Sequence, residues 1–235
     1  MEIFIFLIII LITNIIQGIT GFAGTVLAMP FTILLVGIDV AKPALNITTL
    51  IACILIAFES YRDIVWKECF KMIGIMFIGV PIGEYLYFLF PVNLLLTIYA
   101  IFIILIALKG IFIKQSYDLS EKVLIGVIVL AGIIHGMFSS GGPLLIIYAV
   151  KKLKDKASFR ATLAPVWIVL NSYLLIKQLV SGLVTPQVLT LSLCAIPVLI
   201  AAILIGKKLY EHMSQRFFLL LSYILLLISG ISLLL

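Results

Sequence analysis

The stretch QGITGFAG, residues 17–24, interrupts an apolar segment that contains no Asp, Glu, Lys or Arg between residues 3 and 38. The stretch HGMFSSGGP, residues 135–143, interrupts a second uncharged segment in the same way. Each stretch contains three glycines, and a glycine in a helix interior costs about 1 kcal/mol relative to alanine. Both segments are therefore predicted to be helices that are broken midway.

The composition places these segments in an all-α, polytopic membrane protein. Of the 235 residues, 64% are hydrophobic and 11% are charged, whereas roughly 25% of the residues of soluble proteins are charged. The loops that remain are too short for a soluble catalytic or nucleic-acid-binding domain, so the lipid bilayer is an expected partner and nucleic acid is not. We predict full membrane helices at residues 43–60, 69–89, 93–113, 158–178, 186–207 and 214–234.

The cysteines and the N-terminus add two expectations. Cys53, Cys69 and Cys194 are too few and too dispersed for a disulfide framework or a thiolate metal site, and we expect no metal and no cofactor. The chain begins Met-Glu, without the positively charged region that precedes a cleavable signal, so residues 1–17 are expected to stay in the mature fold.

The two halves of the chain are predicted to be structural repeats. A shift of 118 residues aligns the two interrupted stretches, aligns Lys42 with Arg160, and pairs the six predicted helices in order. We therefore divide the single membrane domain into residues 1–117 and 118–235, a plan that is common among transporters.

The basic residues orient these repeats. If each interrupted segment crossed the membrane once, the 16 Lys and Arg residues would divide nine to seven between the two faces. If each segment is instead a re-entrant hairpin, fourteen lie on one face and only Lys42 and Lys177 on the other, as the positive-inside rule requires. Each half then has one hairpin and three full spans. The prediction is two inverted repeats in a plasma or inner membrane, with both termini outside.

The lengths of the hairpin arms agree with this arrangement. Residues 3–16 would rise about 21 Å and residues 143–152 about 15 Å as helices, so neither arm is expected to span a core of about 30 Å. The charge count does not separate a shallow re-entrant loop from two short tilted helices.

The tips of the hairpins form the predicted binding site. Non-helical backbone cannot face lipid, so both tips must be covered by protein or line a wet cavity toward the middle of the membrane. A short helix is expected to begin after each break, and helix N-termini attract anions. The alternative is that the glycines only let helices pack closely. The residues predicted to bind a small anion are Thr20, Gly21, Phe22, Gly24, Thr25, Ser139, Ser140, Gly141, Gly142 and Pro143.

The two Gly-rich turns, with Pro30 and Pro143 following them, and the segment FRAT at residues 159–162 resemble the TauE/SafE family of sulfite and sulfonate exporters. The resemblance extends over essentially the whole chain. It implies the export of small sulfur-containing oxyanions or organosulfonates. Ala23 and Thr25 stand where such turns carry more glycine, which makes binding by the first half the weaker expectation.

Three further polar residues are candidates for the substrate path. Arg160 and Lys42 are interpreted as inner and outer cationic attractors of an anion, because the arginine fork suits an oxyanion. The alternative is that both are interfacial residues that snorkel to phosphates. Asn46 is a candidate to line the path.

The candidates for coupling are His135, Gln17 and Glu84. His135 and Gln17 occupy equivalent positions before the two turns. A histidine there either carries a proton for coupling or is a neutral group that holds the turn in place by hydrogen bonding. Glu84 is an acidic residue within lipid depth, which is costly and hence suggestive of function. Its alternative is to reach the outer interface.

The favoured function is a secondary transporter, not an enzyme, that moves small anions outward by alternating access. The alternatives are an intramembrane lipid-phosphate enzyme, with His135 and Ser139 as its only candidate pair, and a passive anion channel. The sequence leaves open the anion, the direction, the coupling ion and whether the protein forms a homo-oligomer.

Overall fold

The computed structural model describes residues 2–112, 120–139, 141–153, 155–232 and 234, and within them the chain forms ten α-helices and one short 3-10 helix, Tyr61–Asp63. The helices of the first half are α1 (Glu2–Thr20), α2 (Gly24–Val36), α3 (Ile38–Glu59), α4 (Trp66–Leu89) and α5 (Val92–Phe112). Those of the second half are α6 (Glu121–Phe138), α7 (Gly142–Lys152), α8 (Lys156–Val180), α9 (Pro186–Glu211) and α10 (Gln215–Ser232).

The all-helical, multi-pass architecture predicted from composition is confirmed. Among the described residues, α1, α3, α4, α6, α8 and α9 are long and apolar enough to cross a membrane. The predicted start of α3 is wrong: it begins at Ile38, five residues before the predicted residue 43, and Pro43 lies inside it. Gly37, with φ 76°, ends α2 and lets the next helix begin at once, so the charged residues there belong to a helix and not to a loop.

Both predicted breaks are present. α1 ends at Thr20 and α2 begins at Gly24, while α6 ends at Phe138 and α7 begins at Gly142. Gly21, with φ 81°, and Ser139, with φ 53°, adopt the left-handed conformation that ends the first helix of each pair. These two residues are 118 positions apart, so the breaks coincide under the repeat shift.

The expected length of the first arm is wrong. α1 has 19 residues and α6 has 18, which correspond to rises of about 28 Å and about 27 Å. Gly18 and Gly136 do not end these helices but lie within them. Only the returning helices, α2 with 13 residues and α7 with 11, are too short to cross.

Glycines set the closest helix contacts. Gly18 of α1 faces Gly206 of α9, where an added Cβ would lie 3.2 Å from the Gly206 Cα. In the equivalent pair of helices, Gly136 and Gly132 of α6 lie against the backbone of α4, and Gly83 of α4 lies against the backbone of α6. For Gly18 and Gly136, close packing is therefore the observed role, as small residues provide in membrane proteins.

The packing has the same form when the two halves are exchanged. α1 runs along α9, and its counterpart α6 runs along α4. α3 and its counterpart α8 pack against each other, as do α5 and α10. α3 and α8 are antiparallel, since Asn46 near the start of α3 bonds to Gln178 near the end of α8, and Glu59 at the end of α3 pairs with Arg160 near the start of α8.

The second hairpin returns to the end of the bundle from which it started. Glu121, the first residue of α6, pairs with Lys152, the last residue of α7, at 2.7 Å. Glu121 also pairs with Lys71 near the start of α4. A single crossing by residues 121–152 would place Lys71 and Lys152 on opposite faces, which these contacts exclude.

We predict that Gly83→Leu strongly lowers the thermal stability of the purified protein, because its side chain would meet the backbone of Ile133. Overpacking of this kind costs typically 1–3 kcal/mol. Gly74→Leu on the same helix is the matched control, since no described atom lies within 4 Å of a Cβ there. Equal melting temperatures for the two variants would contradict the close crossing of α4 and α6.

Candidate functional site

A small cavity lies where the two helix breaks meet. The breaks are in contact, because a Cβ at Gly142 would lie 3.3 Å from the Cδ2 atom of Phe22. The residues that line the cavity come from both breaks and from α3 and α8, and they are Gln17, Phe22, Thr25, Val26, Thr49, His135, Ser139, Gly141, Gly142, Trp167 and Asn171. Five of the ten turn residues predicted to bind the substrate are in this set: Phe22, Thr25, Ser139, Gly141 and Gly142.

The first break satisfies its own backbone donors. The Gln17 Oε1 atom accepts a hydrogen bond from the N–H of Gly24 at 2.6 Å. The Thr20 hydroxyl accepts from the N–H groups of Phe22 and Ala23, both at 3.4 Å. The N-terminus of α2 is therefore already capped by side chains of its own hairpin, which leaves it less able to hold an anion.

The second break lacks this internal capping. α7 begins with Pro143 in its first turn, and no described side chain caps its N-terminus. His135 occupies the position equivalent to Gln17, yet neither of its ring nitrogens has a hydrogen-bond partner among the described residues. The Ser139 hydroxyl is likewise unpartnered within that part of the chain. The donors that remain available thus belong to the second half.

Trp167 in α8 adds a donor that the sequence analysis missed. Its side chain is only 4% exposed, and its Nε1–H has no partner in the described part of the chain. The indole ring lies beside His135, with ring centroids 5.4 Å apart. The indole N–H can only donate, and a buried donor without a partner costs about 1–3 kcal/mol. An acceptor from outside the protein would satisfy it.

The charges of the lining residues also favour a ligand that accepts hydrogen bonds. No Asp or Glu occurs among the described lining residues, and His135 is their only ionisable side chain with a basic group. Nor do the described residues include a group of three or more His, Cys, Asp or Glu that could hold a metal ion. Buried donors without an opposing carboxylate are suited to a small anion.

The two predicted cationic attractors do not line this cavity. Arg160 is 2% exposed, and its Nε donates to the carbonyl of Gly18 at 2.6 Å. Its other two nitrogens donate to the Ser60 hydroxyl at 2.9 Å and to Glu59 at 3.3 Å. Its role as an attractor stays a prediction, while its observed contacts hold the end of α1.

Lys42 makes the equivalent contact at the other break. Its Nζ donates to the carbonyl of Met137 at 3.0 Å and lies 4.7 Å from the centre of the Tyr87 ring. Arg160 and Lys42 are equivalent under the repeat shift, and each binds a carbonyl near the end of the hairpin helix of the other half. A cation is favourable at that position because a helix C-terminus carries partial negative charge.

The remaining two candidates, Asn46 and Glu84, lie at two different places in the structure. Asn46 donates to the carbonyl of Asn171 at 3.2 Å and to Gln178 at 2.9 Å, joining α3 to α8 outside the lining. Glu84 pairs with Lys177 at 2.8 Å and accepts from the Tyr173 hydroxyl at 3.2 Å.

Other residues of the two turns also make contacts within the protein. The Thr25 hydroxyl bonds to that of Thr49. Gly141 packs on the carbonyl of Ala131, and Gly21 on that of Arg160. Ser140 lies outside the described residues.

Ser139 combines a hydroxyl that has no partner among the described residues with an unfavourable backbone conformation. Its φ of 53° costs a residue other than glycine about 1–2 kcal/mol. We predict that Ser139→Gly raises the melting temperature of the protein without substrate but weakens the stabilisation by a bound anion. Gly21→Ala, at the equivalent left-handed position, should only lower stability. A Ser139→Gly variant with unchanged anion stabilisation would remove the hydroxyl from the site.

These helices, with a buried donor-rich cavity between two breaks, define a multi-pass membrane protein built around an internal polar site. A family model described as sulfite exporter TauE/SafE matches residues 5–233. The chain belongs to this family. Comparison with curated proteins and with solved structures gives no match.

Proposed function

We propose that the protein is a secondary transporter that exports small sulfur-containing anions through the cavity between the two helix breaks. The observation that carries this proposal is the group of three buried side chains at the cavity whose polar atoms have no hydrogen-bond partner among the described residues: Trp167, His135 and Ser139. The family match supports anion export as the class of activity. The second break provides most of the binding, because the donors of the first are already bound within the protein.

Alternating access is the mechanism that the packing supports. Equivalent helices α3 and α8 are antiparallel and pack together, as expected for two inverted repeats that comprise residues 1–117 and 118–235. Ion pairs close the bundle on both sides of the cavity: Glu59 pairs with Lys207 at 3.3 Å at one end, and Glu84 pairs with Lys177 at the other. Opening one end while the other stays closed would expose the cavity to each side in turn.

His135 is the best placed of the three coupling candidates. It lines the cavity, whereas Gln17 caps α2 and Glu84 lies in an ion pair. We propose that His135 contacts the substrate and carries any coupled proton. His135→Gln should then retain anion binding while losing the dependence of flux on a proton gradient.

The topology has its own prediction. The inverted arrangement places Ser181, between α8 and α9, outside, and Lys67, at the start of α4, inside. In a chain that carries Cys194→Ser, which removes the exposed cysteine, a membrane-impermeant maleimide should label Ser181→Cys in intact cells. Lys67→Cys should react only after the membrane is permeabilised. The reverse pattern, or a C-terminal tag found in the cytoplasm, would overturn the orientation.

Flux in vesicles tests the function directly. Purified protein reconstituted into liposomes should exchange labelled sulfite, taurine or sulfoacetate across the membrane, and the same anions should raise its melting temperature. A passive channel would pass the anions without the counterflow expected of a carrier. A lipid-phosphate enzyme would instead be stabilised by prenyl phosphates and release inorganic phosphate, which would contradict the proposal.

A further inference from the structure

We infer that anions pass between the cavity and the outer end of the bundle along the facing sides of α3 and α8, and that Asn46 and Gln178 form the outer gate of this route. This inference rests on the proposed function and gives a role to two residues that do not line the cavity. Both are buried, with 1% and 6% of their surface exposed.

Four buried polar residues of α8 lie along one side of the helix. They follow one another at intervals of seven, four and seven positions, which at 3.6 residues per turn places them within about 20° of a common line. None is more than 6% exposed. The line therefore runs inside the protein from the first turns of α8 to its last turn, and its members are Arg160, Trp167, Asn171 and Gln178.

α3 carries the equivalent line in the other half of the chain. Under the shift of 118 residues the four positions correspond to Lys42, Thr49, Cys53 and Ser60, and Asn46 lies on the same side of α3. Most other residues of the two helices are apolar. A path that both repeats line would account for polar side chains at matched positions in both. The two lines together are called the polar seam below.

The polar seam is continuous from the inner end of the bundle to the cavity. At the inner end, the Arg160 guanidinium donates to the Ser60 hydroxyl at 2.9 Å. In the middle, both helices reach the cavity, α3 through Thr49 and α8 through Trp167 and Asn171. The cavity is therefore the widened centre of the polar seam.

Asn46 and Gln178 close the polar seam on the outer side of the cavity. The Asn46 Nδ2 donates to the carbonyl of Asn171 at 3.2 Å and to the Gln178 Oε1 atom at 2.9 Å. Gln178 lies seven residues beyond Asn171, about 10 Å farther along α8. Its neighbour Lys177 forms the ion pair with Glu84 at this end of the bundle. Both gate residues are neutral carboxamides, whose N–H groups can donate to an anion once the pair separates.

The closed gate leaves one polar atom unsatisfied. The Asn46 Oδ1 atom is buried and has no hydrogen-bond partner among the described residues. A contact that only held two helices together would be expected to satisfy its buried atoms, because an unpaired buried acceptor is destabilising. A contact that exchanges partners as it opens has no such requirement, and polar residues within membrane helices commonly mark a substrate path.

A negative charge at the gate tests this role. Gln178→Glu keeps the shape of the side chain and the oxygen that Asn46 binds, so the melting temperature should stay close to that of the unmodified protein. Charge repulsion should lower anion flux in liposomes at least about tenfold. Gln187→Glu is the matched control, because it makes the same change at an exposed position at the start of α9. It should transport normally.

The reaction of introduced cysteines tests the route itself. In the Cys194→Ser chain, Gln178→Cys should react with the impermeant anion methanethiosulfonate ethylsulfonate added outside, and an excess of sulfoacetate should slow the reaction. Ile176→Cys should not react, because Ile176 is 61% exposed on roughly the opposite side of α8, toward lipid. Cys53 and Cys69 are buried, and their labelling in the Cys194→Ser parent is subtracted.

The outcomes separate this inference from the proposed function. Full anion flux through Gln178→Glu, or no labelling of Gln178→Cys from outside, would overturn the route while leaving anion export in place. If the unmodified protein moves none of sulfite, taurine and sulfoacetate in vesicles, the proposed function fails, and the route fails with it.

Discussion

Replacing Trp167 by phenylalanine is expected to reduce transport about tenfold or more while leaving the fold intact. The change removes the indole N–H and keeps an aromatic ring beside His135. A hydrogen bond to a charged group contributes about 1.5–3 kcal/mol, which corresponds to roughly ten- to hundredfold in affinity. The effect is measured from the initial flux into liposomes across a range of substrate concentrations. The KM of the variant should be higher than that of the unmodified protein.

Trp66→Phe is the control for this variant. Trp66 is the only other tryptophan in the sequence, is half exposed, and stacks on Phe70 away from the cavity. Its replacement should leave KM unchanged. If Trp167→Phe transports with the KM of the unmodified protein, the unpartnered indole does not contact the substrate, and the site has to be sought elsewhere.

The second large effect is expected for Gly142→Leu, which should abolish transport while the protein still inserts into the membrane. A side chain there would project toward the Phe22 ring at the junction of the two breaks and fill the space that the ligand needs. Membrane insertion is checked by fractionation and by size-exclusion chromatography of the solubilised protein. Transport is checked by the same liposome flux.

Gly126→Leu is the matched control, because Gly126 lies in α6 of the same hairpin and a Cβ there would have no atom of the described residues within 4 Å. It should transport normally. Full activity of Gly142→Leu would remove the binding role of the second break. Loss of activity in both variants would indicate a general effect of leucine in this hairpin.

Local properties of the sequence were enough to predict the two breaks and the order of the helices. They also predicted that the second hairpin returns to the end of the bundle from which it started. Three glycines within eight residues disfavour a continuous helix wherever they occur. Positive charge sorts to one face regardless of the tertiary contacts. The prediction that Lys71 and Lys152 share a face is met by their common partner, Glu121.

The roles of single residues depended on contacts between distant parts of the chain. Gly18 resembled a turn residue in sequence but packs on Gly206. Gln17 resembled a candidate for coupling, yet it caps a helix that begins seven residues later. Trp167 cannot be distinguished by sequence alone from the other apolar residues of a membrane helix. Its position beside His135 is a tertiary contact that no local pattern in the sequence indicates.

The crossed bonds of Arg160 and Lys42 have a mechanical consequence. Arg160 belongs to the second half and donates a hydrogen bond to the last turn of α1. Lys42 belongs to the first half and donates one to the last turn of α6. Each break is thus anchored to the half of the chain that does not contain it. If the two halves tilt against each other in the proposed alternating access, each should carry the opposite break with it, which would couple the movements of the two sides of the cavity.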